Sequence, residues 1–172
     1  MELAAILNSR RSIRSFTGEP ISDEALAKIL SAANAAPVGM GKYDSVHLTV
    51  VQSKALLDEL EKNTEAVFDV HGRSFLYGAP TLIIVSAAGS GNLSCSNAAI
   101  LVQNMALQAV ECGVGACHIW GCIRALGKNP ALIEKLGIPD GFLPACSLAL
   151  GVTEEVYAPR DIPQGRIGVN YI

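Results

Sequence analysis

Asn92-Leu93-Ser94-Cys95-Ser96-Asn97-Ala98-Ala99-Ile100-Leu101-Val102-Gln103-Asn104-Met105-Ala106-Leu107-Gln108-Ala109-Val110 contains no charged residue. Within it Ala98, Leu101, Val102, Met105, Ala109 and Val110 hold helical spacing, and small alanines fill the other sides. A helix so apolar around its circumference must be buried on most of its faces. The stretch therefore predicts a helix at the centre of the molecule, close to a subunit interface. Gln103, Asn104 and Gln108 interrupt the apolar run, which is too short and too polar to span a bilayer. Gly113-Val114-Gly115 ends the helix.

Working outward, Ala116 to Trp120 reads as a strand after the helix. Thr81-Leu82-Ile83-Ile84-Val85 reads as one before it, a continuous apolar run of the kind buried on both faces. Gly78-Ala79-Pro80 introduces that run and Gly89-Ser90-Gly91-Asn92 closes it as a loop. Val46 to Val51 alternates Val46, Leu48 and Val50 against His47 and Thr49, the period of a strand. Ala145 to Leu150, closed by Gly151, is a further strand. Glu2 to Asn8 is a short helix candidate. Ser22 caps a clearer one, with Asp23 and Glu24 in its first turn. Leu26, Ile29, Leu30 and Ala33 form its apolar face, and Pro37 and Gly39 stop it. Ser53 caps a helix through Leu56, Leu57 and Leu60, followed by a polar, less patterned stretch from Asn63 to Arg73. Asn129-Pro130 starts a helix carrying Leu132, Ile133 and Leu136. Residues 154–172 form an arm punctuated by Pro159, Pro163 and Gly165. Its apolar end, Ile167-Gly168-Val169-Asn170-Tyr171-Ile172, reads as a strand that docks elsewhere, on a partner subunit for instance. Helices and strands are interspersed, but a large central helix does not suit a doubly wound sheet. The fold class is α+β, a sandwich.

The 172 residues suffice for one substantial core, so a single domain over 1–172 is expected. Half of the residues are hydrophobic and only 17% are charged, which excludes disorder and favours self-association. A net charge of -3 argues against a nucleic-acid partner. Met1-Glu2-Leu3-Ala4-Ala5-Ile6-Leu7 lacks the basic start of a secretion signal, and no span for a membrane is found, so a cytoplasmic protein is expected. The five cysteines are an odd number, mostly in apolar surroundings, and no CxxC pair occurs. They read as free thiols rather than as a metal site.

Arg10, Arg11 and Arg14, with Ser12 among them and Ser15 next, meet no acid before Glu19. Guanidinium groups bind phosphate in bidentate fashion, and serine hydroxyls can complete the oxygen shell. A solvated basic turn between two helices is the other reading, and the residues alone leave both open. Cys117-His118 suggests a nucleophile and base, but neighbours in a strand point to opposite faces, against direct pairing. His47 and His71 have no visible partners. Gly89-Ser90-Gly91 lacks the Lys-Ser/Thr of a P-loop and is read as a turn. No acid–base dyad emerges.

Arg10-Arg11-Ser12-Ile13-Arg14-Ser15-Phe16 is similar to the signature opening of the nitroreductase family. Ala35-Ala36-Pro37-Val38-Gly39-Met40-Gly41 with His47-Leu48-Thr49-Val50-Val51 resembles that family's Pro-containing loop and following strand. Ala79 to Val85, Asn97 to Gly115 and Cys146 to Gly151 resemble its central strand, central helix and last core strand, all in order.

The resemblance implies an α/β/α sandwich with a mainly antiparallel sheet and a long buried helix, in a domain-exchanged homodimer. It also implies two FMN sites at the interface. Arg10, Ser12 and Arg14 of one subunit would meet the flavin phosphate and pyrimidine edge, with a backbone or phosphate contact from Arg11. Pro37, Val38, Gly39 and Met40 would come from the partner. His118, Ile119, Trp120 and Gly121 would run along the flavin and offer backbone N–H groups. Arg166, in preference to Arg160, would reach the phosphate from the tail. The implied function is oxidation of NAD(P)H through FMN, with two-electron reduction of a nitroaromatic, quinone or similar small acceptor in ping-pong fashion. A flavin-binding protein that stores, senses or consumes flavin is the alternative. The family's Pro-Ser-Ser loop is replaced by Pro37-Val38-Gly39, which removes hydroxyl contacts. The 63–77 region, where relatives place a lid, is short.

Overall fold

The computed structural model describes residues 2–172; Met1, the first residue of the expected domain, lies outside them. Four strands form one sheet: β1 (Val46–Val51), β2 (Thr81–Ala88), β3 (Gly115–His118) and β4 (Phe142–Gly151). Their order is β1-β2-β4-β3, and each neighbouring pair is antiparallel. Six helices accompany them among the described residues: α1 (Leu3–Ser9), α2 (Asp23–Asn34), α3 (Lys54–Phe68), α4 (Asn92–Glu111), α5 (Gly121–Leu126) and α6 (Pro130–Lys135).

The side-chain alternation of the central strands makes the layers. Ile83 and Val85 of β2, with Leu148 and Leu150 of β4, pack with Ile29 of α2 and Leu101, Val102 and Met105 of α4. Leu82 and Ile84, with Ala149, face the other way onto Leu57 and Leu60 of α3, Ile123 and Leu126 of α5 and Leu132 of α6. Helices thus cover both faces, as the expected α/β/α sandwich requires. Each fully buried aliphatic side chain contributes roughly 1.5–3 kcal/mol, so this two-sided burial holds the layers together. Between β2 and β4 the register slips at Val85 and Ser86 of β2, where Pro144 rather than Ala145 opposes Ser86. A bulge absorbs the extra residue. β3 pairs no further down β4 than Leu148, so Pro144 owes that side no ladder hydrogen bond.

Where the structure departs from the sequence reading, the reasons are local. α4 begins at Asn92, ahead of the periodic run, because nothing in Asn92–Asn97 stops a helix; Ser96 Oγ donates back to the Asn92 carbonyl at 2.9 Å. α3 runs on to Phe68 through the stretch that looked unpatterned. Thr64 sits fully buried on its inner face and hides its hydroxyl by donating to the Leu60 carbonyl at 2.7 Å, which masked the period. The expected Ser53 cap makes no side-chain hydrogen bond. β3 stops at His118 instead of Trp120, and α5, with six residues, is too short for periodicity to reveal. Residues 154–172 form no strand among the described residues, and Ile167, Val169, Tyr171 and Ile172 are exposed.

Two glycines shape the edge that matters for function. A Cβ on Gly115 would lie 3.0 Å from the Phe16 ring, and one on Gly151 would lie 2.9 Å from it and 2.7 Å from Pro80. The bare backbone of β3 and β4 there is what admits Phe16, the last residue of the arginine motif. No helix among the described residues is long and apolar enough to cross a membrane.

Candidate functional site

The arginine motif lies along the outer edge of β3. Ile13 is fully buried, and its N–H donates to the Ala116 carbonyl at 2.9 Å. Thr17 continues the same line, its N–H donating to the Val152 carbonyl at 3.0 Å. An edge strand would otherwise present unpaired backbone groups; here the motif covers part of them. Anchoring Ile13 inward sets its neighbours. Ser12 lies against the Cys117 thiol, while Arg14 is exposed with its guanidinium 5.9 Å from the centre of the Tyr77 ring.

Arg11 is held by its own chain. It donates to the Val156 carbonyl at 3.0 Å and pairs with Glu155 at 3.3 Å. Its Nε is buried without a partner. Among the described residues neither Arg10 nor Arg14 has a side-chain carboxylate partner. The Arg14 N–H donates to Glu155 Oε1 at 3.4 Å, leaving its guanidinium free of that acid. The field of Arg10 is felt nearby. Burial first, then Arg10, pushes the His118 imidazole below its ordinary value, so it is neutral near pH 7. Burial raises the Cys117 thiol, and Arg14, Ser12 and Arg10 only partly oppose this. Cys117 faces the core and His118 the opposite side of the strand, where the residue reaches solvent while its ring remains partly enclosed, as the strand period requires.

Tyr157 completes this wall; nothing in the local sequence marks it beyond its place in the arm. Its hydroxyl donates to the Val114 carbonyl at 3.0 Å and accepts from the Ala116 N–H at 3.1 Å. It thereby clips residues 154–157 over the start of β3. Burial pushes the phenol up to about 12 from 10. A folded-state value above the unfolded one means that the native state holds the proton longer. The stability this group contributes is complete below about pH 10 and is lost as pH rises to about 12. Urea unfolding between pH 8 and 11.5 should show a steeper loss above pH 10 in the wild type than in Tyr157→Phe. Equal slopes would contradict the clip.

The Pro37–Met40 loop sits at the other end of α4. The Gly39 N–H donates to Asn97 Oδ1 at 3.1 Å, and a Cβ on Gly39 would come within 2.8 Å of Leu93. Met40 adopts φ 58 and leaves its side chain 78% exposed, an apolar group in a strained backbone. From Asn97 to Val110 the helix extends about 20 Å at ~1.5 Å per residue, and the arginine motif lies past that far end. The structure therefore brings Arg10, Ser12 and Arg14 together with His118, but keeps Pro37, Val38, Gly39 and Met40 of the same chain away from them.

The His118–Gly121 segment is sharpened as well. The Ile119 N–H donates to the Ser147 carbonyl at 3.1 Å and Ser147 Oγ returns a 2.7 Å bond to the Ile119 carbonyl, so Ile119 has no N–H to offer. The N–H groups of Trp120 and Gly121, at the start of α5, have no partner among the described residues. Trp120 is 62% exposed rather than a core residue. In the tail, Arg160 is tied to the Asn8 carbonyl through its backbone N–H and its Nε, whereas Arg166 is exposed. A cavity of about 540 Å³ beside α3, lined by Gln52, Lys54 and Glu61 among others, contains none of the residues that the sequence reading assigned to the flavin.

Comparison with known proteins gives a consistent result. The sequence signature described as the nitroreductase family matches residues 7–152. An FMN reductase (NADPH) of Bacillus subtilis is 28% identical over 165 residues, covering 87% of this chain and 64% of that protein. The chain thus spans a little under two thirds of that relative. A nitroreductase of Desulfitobacterium hafniense, crystallised with bound FMN, superposes with a TM-score of 0.86 at 25% identity, covering 99% of this chain and 100% of the other. A Bacteroides fragilis nitroreductase with bound FMN gives 0.84 at 26% identity, again over 99% and 100%.

Proposed function

The chain belongs to the nitroreductase family, and from that premise we propose that it works as a homodimer with two FMN sites, each walled by both subunits. It is an FMN-dependent oxidoreductase. The finer reading is that NAD(P)H supplies electrons and that a small electron-poor compound, a nitroaromatic or a quinone, takes two of them. We read residues 1–172 as one domain with 154–172 as an arm, in a cytoplasmic protein; five free cysteines among the described residues support a reducing compartment.

The residues fit the cofactor. Among the described residues Arg10 and Arg14 have no carboxylate partner, and the Arg11 Nε is a buried donor awaiting an acceptor. When bound, FMN would supply the hydride and two-electron redox chemistry. The protein's part is holding, orienting and excluding water. Arg10, Ser12 and Arg14 would hold the phosphate and pyrimidine edge, with Arg11 steadied by Glu155 behind them and Arg166 reaching in from the tail. The free N–H groups of Trp120 and Gly121 would face the ring, with His118 and Ile119 forming the backbone beneath. Pro37, Val38, Gly39 and Met40 of the partner subunit would close the other side. The observation that carries this reading is the separation of the two walls across α4 within one chain, each wall being incomplete alone. The exposed, strained Met40 is the kind of group a partner would cover.

Anaerobic mixing tests the activity. Yellow protein should be bleached by NADPH or NADH, and a quinone should restore the colour with a stoichiometry of one per flavin. Protein that keeps its colour with both nucleotides would overturn the electron-transfer reading and leave the flavin store or sensor in its place.

A further inference from the structure

Trp120 is the single tryptophan of the chain and borders a cavity of about 340 Å³ shared with Ser90, Ser94, Cys95, Arg124 and Lys128. The indole is not loose. The Arg124 guanidinium lies 5.7 Å from its ring centre and 5.5 Å from that of Phe68, and Phe68 stacks on Phe75 at 5.9 Å. A cation between two rings fixes both. Phe75 is itself fixed, since its N–H donates to Glu61 Oε2 at 2.8 Å. No acid among the described residues lines the cavity. Among the described residues neither Arg124 nor Lys128 has a carboxylate partner, and the first turn of α4 on the opposite wall holds none.

A rigid aromatic plate beside two uncompensated cations is the chemistry that recognises a phosphorylated aromatic base. The base stacks on the indole, and the phosphate takes the Arg124 fork, the Lys128 charge and the Ser90 and Ser94 hydroxyls. The cavity opens where the His118–Gly121 segment ends, beside the place assigned to the flavin. We infer that it receives the adenosine 2′-phosphate end of NADPH, an inference that rests on the nucleotide-driven reading above. NADH lacks that phosphate, so the enzyme prefers NADPH.

Trp120 makes the test direct, because as the single tryptophan it is the sole indole emitter, and it borders this cavity. Titration with 2′,5′-ADP should quench the emission and compete with NADPH, and 5′-AMP should bind at least about tenfold more weakly, the value of one charged hydrogen-bond set. Arg124→Gln/Lys128→Gln, checked for folding by circular dichroism, should lower the NADPH-over-NADH ratio of kcat/KM about tenfold or more. An unchanged ratio, or no emission response to 2′,5′-ADP in protein that NADPH bleaches, would overturn the inference alone. Equal quenching by inorganic phosphate would overturn it too, reducing the cavity to a general anion site. Protein that neither nucleotide bleaches would fail the underlying reading instead, whatever the emission shows.

Discussion

Arg10→Ala/Arg14→Ala protein is expected to purify colourless. A hydrogen bond to a charged group contributes about 1.5–3 kcal/mol, so losing two arginines from the phosphate wall should weaken FMN retention by about a hundredfold or more. Folding should change little. Arg14 is exposed, and Arg10 makes no ion pair among the described residues, so the unfolding free energy should stay within about 0.5 kcal/mol. The same variant carries an internal check. With Arg10 gone, the His118 imidazole should titrate higher, since Arg10 is one of the two influences that depress it. Absorbance at the flavin band after gel filtration, with a histidine titration by NMR, reads both effects. Full retention of FMN would remove these arginines from the site.

Met105→Lys should abolish stable folding. Met105 is fully buried between α2, the sheet and the rest of α4. The cluster packed around it is apolar, so an ammonium there meets no acid among the described residues, and burying it costs several kcal/mol, comparable with the whole stability of a domain. Ile100 on the same helix is 39% exposed. Ile100→Lys should therefore leave the circular dichroism spectrum intact, and if this face of α4 meets the second subunit, it should convert a dimer to a monomer in gel filtration. A folded, stable Met105→Lys protein would contradict the placement of α4 at the centre.

How much of this could be read from residues alone varies by element. The uncharged run ending at Val110 identified α4 because no solvated face can be built from it, and the continuous Thr81–Val85 run identified a strand buried on both faces. The Thr64 region and α5 escaped notice for opposite reasons. Thr64 satisfies its own hydroxyl inside the helix and so breaks the apolar period without breaking the helix, while Gly121–Leu126 spans too few turns to show a period at all. At the site, the arginines stood out because no acid answers them locally. Glu155, which answers Arg11, arrives from a distant arm and is invisible to local reading. Tyr157 and Asn97 escaped for the same reason: their partners, Ala116 and Gly39, lie far away in sequence. The Ile119 N–H looked available until the fold gave it to Ser147.

The central claim is that one flavin site needs two chains, and mixed dimers test it most directly. Arg10→Ala/Arg14→Ala damages one wall, and Met40→Glu, which puts a carboxylate at the exposed tip of the Pro37–Met40 loop, damages the other. Neither variant alone should retain FMN. Heterodimers, isolated with two affinity tags, contain one site with both defects and one with none if the walls come from different subunits. They should bind one FMN per dimer and regain NADPH-driven bleaching. If both walls belong to the same chain, every site in the heterodimer carries a defect. A colourless heterodimer would then contradict the shared site.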